Sequence, residues 1–235
     1  DLPLTRRTTQ YIPSPVEIQK LLDVLAREPR HYRMFYLLSM CTGCRRWELG
    51  ALKREDFKFS RGGLLLTISR SRSVVPGKGV VEGPTKNGRS REIVLSSDLR
   101  GFFMSYRRRK QMEARQANRE LSPYLFTDEH GQLIHPDTFT KRLRKIYESI
   151  GFPKEYHLHT LRHYYVTSLL HSGVDKQTVA DLVGHADTGF LERTYCHPQQ
   201  EQKVQAAGAM CSMLRLEGEA LFNLAAACPA KSRSA

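Results

Sequence analysis

Apolar residues recur along this chain with two different periods, and the change of period divides it. Ile18, Leu21, Leu22 and Leu25 fall three and four apart, the spacing of one helical face. Ser14-Pro15-Val16-Glu17 precedes them as a capping box, with Pro at the first helical position. A second helix is predicted from about Tyr32 to Cys41, rich in Phe35, Leu37, Leu38 and Met40 and stopped by Gly43. A third, short one follows from about Arg46 to Leu52. Then the pattern turns extended. Leu64 to Ser69 reads as a strand, Ser73-Val74-Val75 and Gly79-Val80-Val81 flank a Pro76-Gly77 hairpin turn, and Arg91 to Leu95 is a further strand. That last strand is entered through Asn87-Gly88, a strong turn signal. These strands predict one small antiparallel sheet.

Helical spacing returns after Ser97-Asp98 and runs to about Glu120, where Ser122-Pro123 breaks it. Tyr124 to Phe126 is a short extended piece and Asp128 to Gly131 a turn. Helices are predicted for about Asp137–Ile150, Thr160–His171 and Asp175–Val183, each ended by a nearby Gly at 151, 173 or 184. Tyr195 falls on or beside another short helix, and residues 201 to 227 are again helix-like. The fold class is therefore α+β, mainly helical, with a small antiparallel sheet packed on a helical core. The expected organisation is a main domain over 1–200, a helical extension over 201–228 and a frayed tail over 229–235. No internal repeat is visible.

Charge narrows the partner. Thirty-seven Lys and Arg against 24 Asp and Glu give a formal charge of +13 in 235 residues. Such an excess implies an anionic partner, with nucleic acid first. Arg70, Arg72, Lys78, Lys86, Arg89 and Arg91 lie in a stretch whose one acid is Glu82, and Lys141, Arg142, Arg144 and Lys145 share a short segment. Roughly half of such residues are expected to be ordinary solvated faces and the rest a phosphate-tracking surface. The five cysteines form no secreted disulfide framework, and Cys41-Thr42-Gly43-Cys44 reads as two buried, reduced thiols at a helix end. No apolar run approaches a membrane span and no signal peptide is evident. Because the chain starts at Asp1 without Met, it is expected to be a fragment of a longer protein.

The chemistry concentrates in two segments. One reads H-T-L-R-H-Y-Y-V-T from His159 to Thr167, the other L-V-G-H-A-D-T-G-F-L-E-R-T-Y-C-H from Leu182 to His197. Arg pairs bidentately with phosphate oxygens, His moves protons near neutrality, and Tyr is a covalent nucleophile that replaces activated water. The combination suits a phosphodiester. A second Arg lies in Thr42-Gly43-Cys44-Arg45-Arg46-Trp47-Glu48-Leu49, just after a helix-terminating Gly. Near these motifs acids are few, Glu48, Asp181 and Asp187 among them, with no cluster to hold catalytic cations, so neither metal nor other cofactor is expected.

With these motifs in order, the chain resembles the catalytic domain of a tyrosine recombinase of the phage-integrase family. The family's T-G-x-R-x-x-E-L element matches 42–49 and its H-x-L-R-H element matches 159–163. Its L-G-H element matches 182–185 with Val183 interposed, and its terminal Tyr element matches Thr194 to His197. Its basic β-turn element matches Thr85 to Leu95, with Val94 where a Pro often stands. The resemblance implies that Arg45 and Arg162 clamp the scissile phosphate while His185 adds a hydrogen bond. It implies that His159 assists proton transfer, Lys86 protonates the leaving 5′ oxygen and Tyr195 becomes a 3′-phosphotyrosine. Glu48 would hold a site Arg or His in place, and Arg46, Arg89, Arg91, Arg70, Arg72 and Lys141 would contact DNA.

Blander readings stand beside these. Arg46 suits solvent as well as DNA; Asn87, Gly88 and Arg89 suit an ordinary turn; His157 and His163 suit structural roles; Tyr164 and Tyr165 suit the core. An integrase of a phage or conjugative element is favoured by the insertion around Val74 to Val81 and the long C-terminal segment. A Xer-like resolvase, a type IB topoisomerase and a catalytically inactive DNA-binding protein are the alternatives. Double-stranded DNA is the expected partner, bound by a dimer to tetramer of the chain with a possible accessory excision factor, in a bacterial cytoplasm at the nucleoid. The apolar residues Leu216, Leu221, Phe222 and Leu224 need a surface to cover, on a neighbouring protomer or on their own. An upstream DNA-clamping domain is expected outside this fragment.

Overall fold

The computed structural model describes residues 11–60 and 63–184. His185, Tyr195 and the C-terminal extension lie outside the described residues. Helix α1, Pro15–Leu25, opens as its sequence dictates: Ser14 N donates to Glu17 Oε2 at 2.8 Å, and Glu17 N to Ser14 Oγ at 3.3 Å. Helix α2, Arg30–Thr42, ends at Gly43 with φ +58. A β-carbon there would fall 2.6 Å from the Tyr165 ring, so glycine is required both for the turn and for the close approach of the later helix α6, Leu158–His171. Helix α3, Arg46–Leu49, is shorter than the spacing predicts because the chain leaves helical geometry to pair Lys53 with Tyr124.

The sheet departs from expectation in two ways. Strand β1, Phe57–Ser60, is an addition: Phe57 stacks on Phe103 inside, at 4.1 Å, while Phe59 is exposed beneath Arg100. It pairs with β2, Gly63–Ile68, which pairs in turn with β5, Arg91–Leu95, giving the antiparallel order β1-β2-β5. Between β2 and β5 the chain makes a separate two-stranded hairpin of β3, Arg70–Val75, and β4, Gly79–Pro84. The single predicted sheet is thus two. The Asn87-Gly88 turn carries the chain from one to the other, with Gly88 N donating to Thr85 O at 2.8 Å.

Leu64, Leu66, Ile68, Ile93 and Leu95 alternate inward along β2 and β5 and face helix α4, Ser97–Gln116. That helix ends short of Glu120 because Asn118 adopts φ +45, a left-handed conformation that Asn tolerates. Helix α5, Pro136–Ser149, brings Phe139 onto Phe35, stacked at 3.9 Å, and Tyr36 Oη donates to Phe139 O at 2.8 Å. These fully buried rings anchor the main core. A smaller cluster of Val166, Val179, Ala180 and Val183 holds α6 to α7, Lys176–Val183. Helix α7 is capped by Asp175 and stopped by Gly184 at φ +66. No described helix is long and apolar enough to cross a membrane.

Candidate active site

Gly43 ends α2, and Arg45 follows in extended geometry before α3 begins. Its backbone N donates to Glu48 Oε2 at 2.8 Å and its Nη1 to Glu48 Oε1 at 3.1 Å. Glu48 is 1% exposed. Burial alone would raise its pKa; the hydrogen bond and charge of Arg91, then Arg45, outweigh it and hold the carboxyl below its ordinary value.

Arg162 rises from α6 and is buried. Its Nη1 donates to Gly43 O, and its Nη2 to Val183 O at 2.8 Å. Loss of hydration, with Arg45 close by, pushes the guanidinium down to about 10. His159 lies one turn earlier on the same helix, its ring 5.0 Å from that of His163. Much of its surface is open, yet packing around the ring strips hydration. With the charges of Arg162, His157 and Arg45 this lowers its pKa to about 4. In the free protein at neutral pH His159 is therefore a neutral imidazole, able to accept a proton.

The C-terminus of α7 gathers these parts. Leu182 O accepts from Arg91 Nε at 2.9 Å, Val183 O from Arg162, and Gly184 O from Asn87 Nδ2 at 3.0 Å and Arg45 Nη2 at 3.5 Å. The last carbonyls of a helix have no partner within it and carry partial negative charge, so cations and amides collect there. His185 is the next residue along the chain. Asn87 fastens the turn that bears Lys86, which is exposed, against this helix end. Between turn and helix lies a cavity of about 390 Å³, lined by Arg45, Asn87, Arg89, Arg91, Thr178 and Asp181 among others.

The structure thus brings together Arg45, Arg162, His159 and Glu48, and draws the Lys86 turn up to them. It separates most of the basic residues expected on DNA. Arg91 is turned inward: its side chain is 8% exposed and bound to Glu48 at 2.7 Å, because it shares the inner face of β5 with Ile93 and Leu95. Arg70 is tied to Asp56 at 3.2 Å and Glu55 at 3.3 Å, and Arg72 sits over the Tyr124 ring. Arg46 lies over Trp47 and pairs with Asp137 at 2.6 Å. Arg89 and Lys141 are exposed. Cys44 is buried and free as expected, whereas Cys41 is exposed, on the outer face of α2 between the buried Met40 and Thr42. Sequence reasoning missed the anchoring role of Asn87, for which a turn signal leaves no trace.

The phage integrase family model matches residues 14–202. The chain belongs to the phage integrase family. A tyrosine recombinase of Pseudothermotoga lettingae is 32% identical over 204 residues, covering 87% of this chain and 62% of that protein. The tyrosine recombinase XerA of Pyrococcus furiosus is 30% identical, covering 72% of this chain and 51% of that one. The chain therefore spans about half the length of the curated relatives it matches, and three-fifths of the first of them. Among solved structures, a Tn1549 transposon integrase in complex with circular intermediate DNA superposes with a TM-score of 0.72 at 15% identity, covering 87% of this chain and 67% of that one. XerH bound to difH in a pre-cleavage complex gives 0.65 at 20% identity, with 87% and 55% covered. The fold is that of phage integrase family catalytic domains, α+β and mainly helical, as its sequence predicted.

Proposed function

We propose that this chain is the catalytic part of a site-specific DNA recombinase, an integrase that cuts and rejoins DNA through a 3′-phosphotyrosine. The observation that supports it best is the meeting of Arg45 and Arg162, from two distant motifs, at the end of α7, with His159 lining a cavity beside Arg45. In this reading the two guanidiniums bind non-bridging oxygens of the scissile phosphate and stabilise the added charge of the phosphorane. Tyr195 Oη attacks phosphorus; its proton leaves with help from neutral His159. The bond from phosphorus to the 5′ oxygen breaks, Lys86 supplies that oxygen's proton, and His185 adds a hydrogen bond to the phosphate. Attack by a 5′ hydroxyl of another strand reverses the step and conserves the ester, so no external energy source is consumed. Arg89 and Lys141, both exposed, track the DNA backbone in this reading.

The finer parts of the reading are a mobile element as the cargo, a dimer to tetramer on double-stranded DNA, an accessory excision factor and a bacterial cytoplasmic setting at the nucleoid. The C-terminal segment would dock on a neighbouring protomer, and a further DNA-clamping domain would complete the enzyme. The names of the curated relatives, XerA and XerD among them, favour a Xer-type recombinase as the second reading. The test is covalent trapping on a pool of nicked duplexes with randomised flanks. An adduct is expected with the wild-type chain and none with Tyr195→Phe; an adduct that survives this substitution refutes the nucleophile. Sequencing the captured DNA separates integrase from Xer-type targets.

A further inference from the structure

Arg91 uses its whole guanidinium inside the protein. Nε donates to Leu182 O at 2.9 Å, Nη1 to Glu48 Oε1 at 3.2 Å, and Nη2 to Glu48 Oε2 at 2.7 Å. Nη2 also lies 3.6 Å from Cys44 Sγ. Gly184 closes over it, since a β-carbon on that residue would fall 2.9 Å from Nη1. One fork therefore spans three elements: it stands on β5, holds the carboxylate that orients Arg45, and holds the end of α7 that leads into His185. Arg45 shares both Glu48 oxygens with Arg91.

We infer that Arg91 is a positioning residue of the recombination site, acting on Arg45 through Glu48 and on the His185 segment through Leu182 O, without touching DNA. The inference rests on the recombinase reading above. Its physical basis is charge accounting within a buried cluster. Glu48 between two guanidiniums is more than neutralised, so Arg45 keeps charge to offer a phosphate. Without Arg91, Glu48 draws on Arg45 alone, and that charge is cancelled before the phosphate arrives. Lys in its place keeps the charge but not the planar fork that serves Glu48 and Leu182 together.

Three further groups act on Glu48: Arg45 and Arg162, both cationic, and the Cys44 thiol, which burial pushes up to about 11. His159, held down at about 4, is neutral above that pH. Once Arg91 is lost, the burial that raises the Glu48 pKa is opposed mainly by Arg45, so Glu48 gains a proton more readily than in the wild type. Protonation then relieves Arg45.

The experiment uses the full chain and the nicked duplex pool, with single-turnover adduct formation, salt-dependent binding to a random-sequence duplex and thermal unfolding measured together. Arg91→Met should slow adduct formation by about 10²-fold, the scale for losing one well-placed transition-state donor. Its deficit relative to wild type should narrow as pH is lowered and Glu48 takes up a proton. Arg91→Lys should fall between the two. Arg91→Met with Glu48→Gln should be faster than either single variant, because the stranded charge is gone while Arg45 keeps an acceptor. The slope of log affinity against log salt should not change, whereas loss of a phosphate contact reduces it by about one. A slope reduced by about one, a double variant no better than the singles, or an unchanged rate in Arg91→Met overturns the inference. If Arg91→Met does not fold, the order wild type, Arg91→Lys and double variant decides it. Absence of any adduct with the wild-type chain refutes the recombinase reading itself, a different outcome.

Discussion

The end of α7 and the β3–β4 hairpin are both rich in arginine, yet the two regions use it in opposite ways. At α7 the guanidiniums of Arg91, Arg162 and Arg45 converge on three consecutive carbonyls, and Glu48 is shared between two of them. On the hairpin each arginine finds its own partner: Arg70 takes Asp56 and Glu55, and Arg72 lies over Tyr124. The first arrangement places like charges together, which repels, and is held by buried hydrogen bonds. The second spreads charge over an exposed ribbon. A cluster of cations kept together against repulsion is pre-organised for an anion; a set of individually satisfied ones is an anchor for the ribbon that carries it.

The sharpest way to break this contrast is Arg162→Met. The substitution keeps bulk but strands Gly43 O and Val183 O, each at about 1–3 kcal/mol, offset in part by relief from Arg45. A net destabilisation of about 2 kcal/mol is expected, with adduct formation lowered by about 10³-fold while duplex binding changes far less. Arg72→Met on the hairpin should move stability by less than about 0.5 kcal/mol. Equal losses of binding and cleavage in Arg162→Met would demote the residue to a binding group, and equal stability losses at both sites would erase the contrast.

A smaller and more selective effect belongs to His159. Its folded pKa of about 4 lies below the ordinary value of 6.5, so the unfolded chain takes up a proton that the folded chain refuses between those values. This residue's contribution to stability is therefore lost as pH falls from about 6.5 to about 4, and is flat above. His159→Gln should remove that dependence. An NMR titration of the imidazole checks it directly: a midpoint near 6.5 would mean that neither burial nor the charges of Arg162 and Arg45 press on the ring.

The same contrast marks where the sequence could be read and where it could not. Helix starts and stops were legible because they are local: Ser14 and Glu17 cap α1, and Gly43 and Gly184 take up left-handed geometry where the spacing ends. The main motifs of the site were legible for the same reason, although His185 and Tyr195 lie outside the described residues. Arg91 was misjudged although the signal was present. It stands two and four residues before Ile93 and Leu95, so strand alternation already points it inward. Counting it with a basic run hid that. The split of the sheet was not legible, because β2 pairs with β5 across a whole inserted hairpin and no local pattern reports such a register. Strand β1 has four residues, too few for a period to show.

The mildest test concerns the root of the hairpin. Glu82, the one acid in that basic stretch, accepts from Lys53 Nζ at 2.9 Å and from Tyr124 Oη at 2.9 Å, and Lys53 lies over the Tyr124 ring. Burial works against its charge, but the Lys53 and Tyr124 hydrogen bonds outweigh it and keep the carboxyl below its ordinary pKa. Exposed pairs of this kind contribute at most about 1 kcal/mol. Glu82→Gln should therefore leave global stability within about 0.5 kcal/mol and adduct formation within about twofold. Amide exchange should quicken across β3 and β4, while β2 and β5, whose Leu64, Leu66, Ile93 and Leu95 are in the core, keep their protection. Faster exchange spreading into β2 and β5 would show that the hairpin and the site-bearing sheet open together, and the arginines of the ribbon would then belong to the same cooperative unit as those at α7.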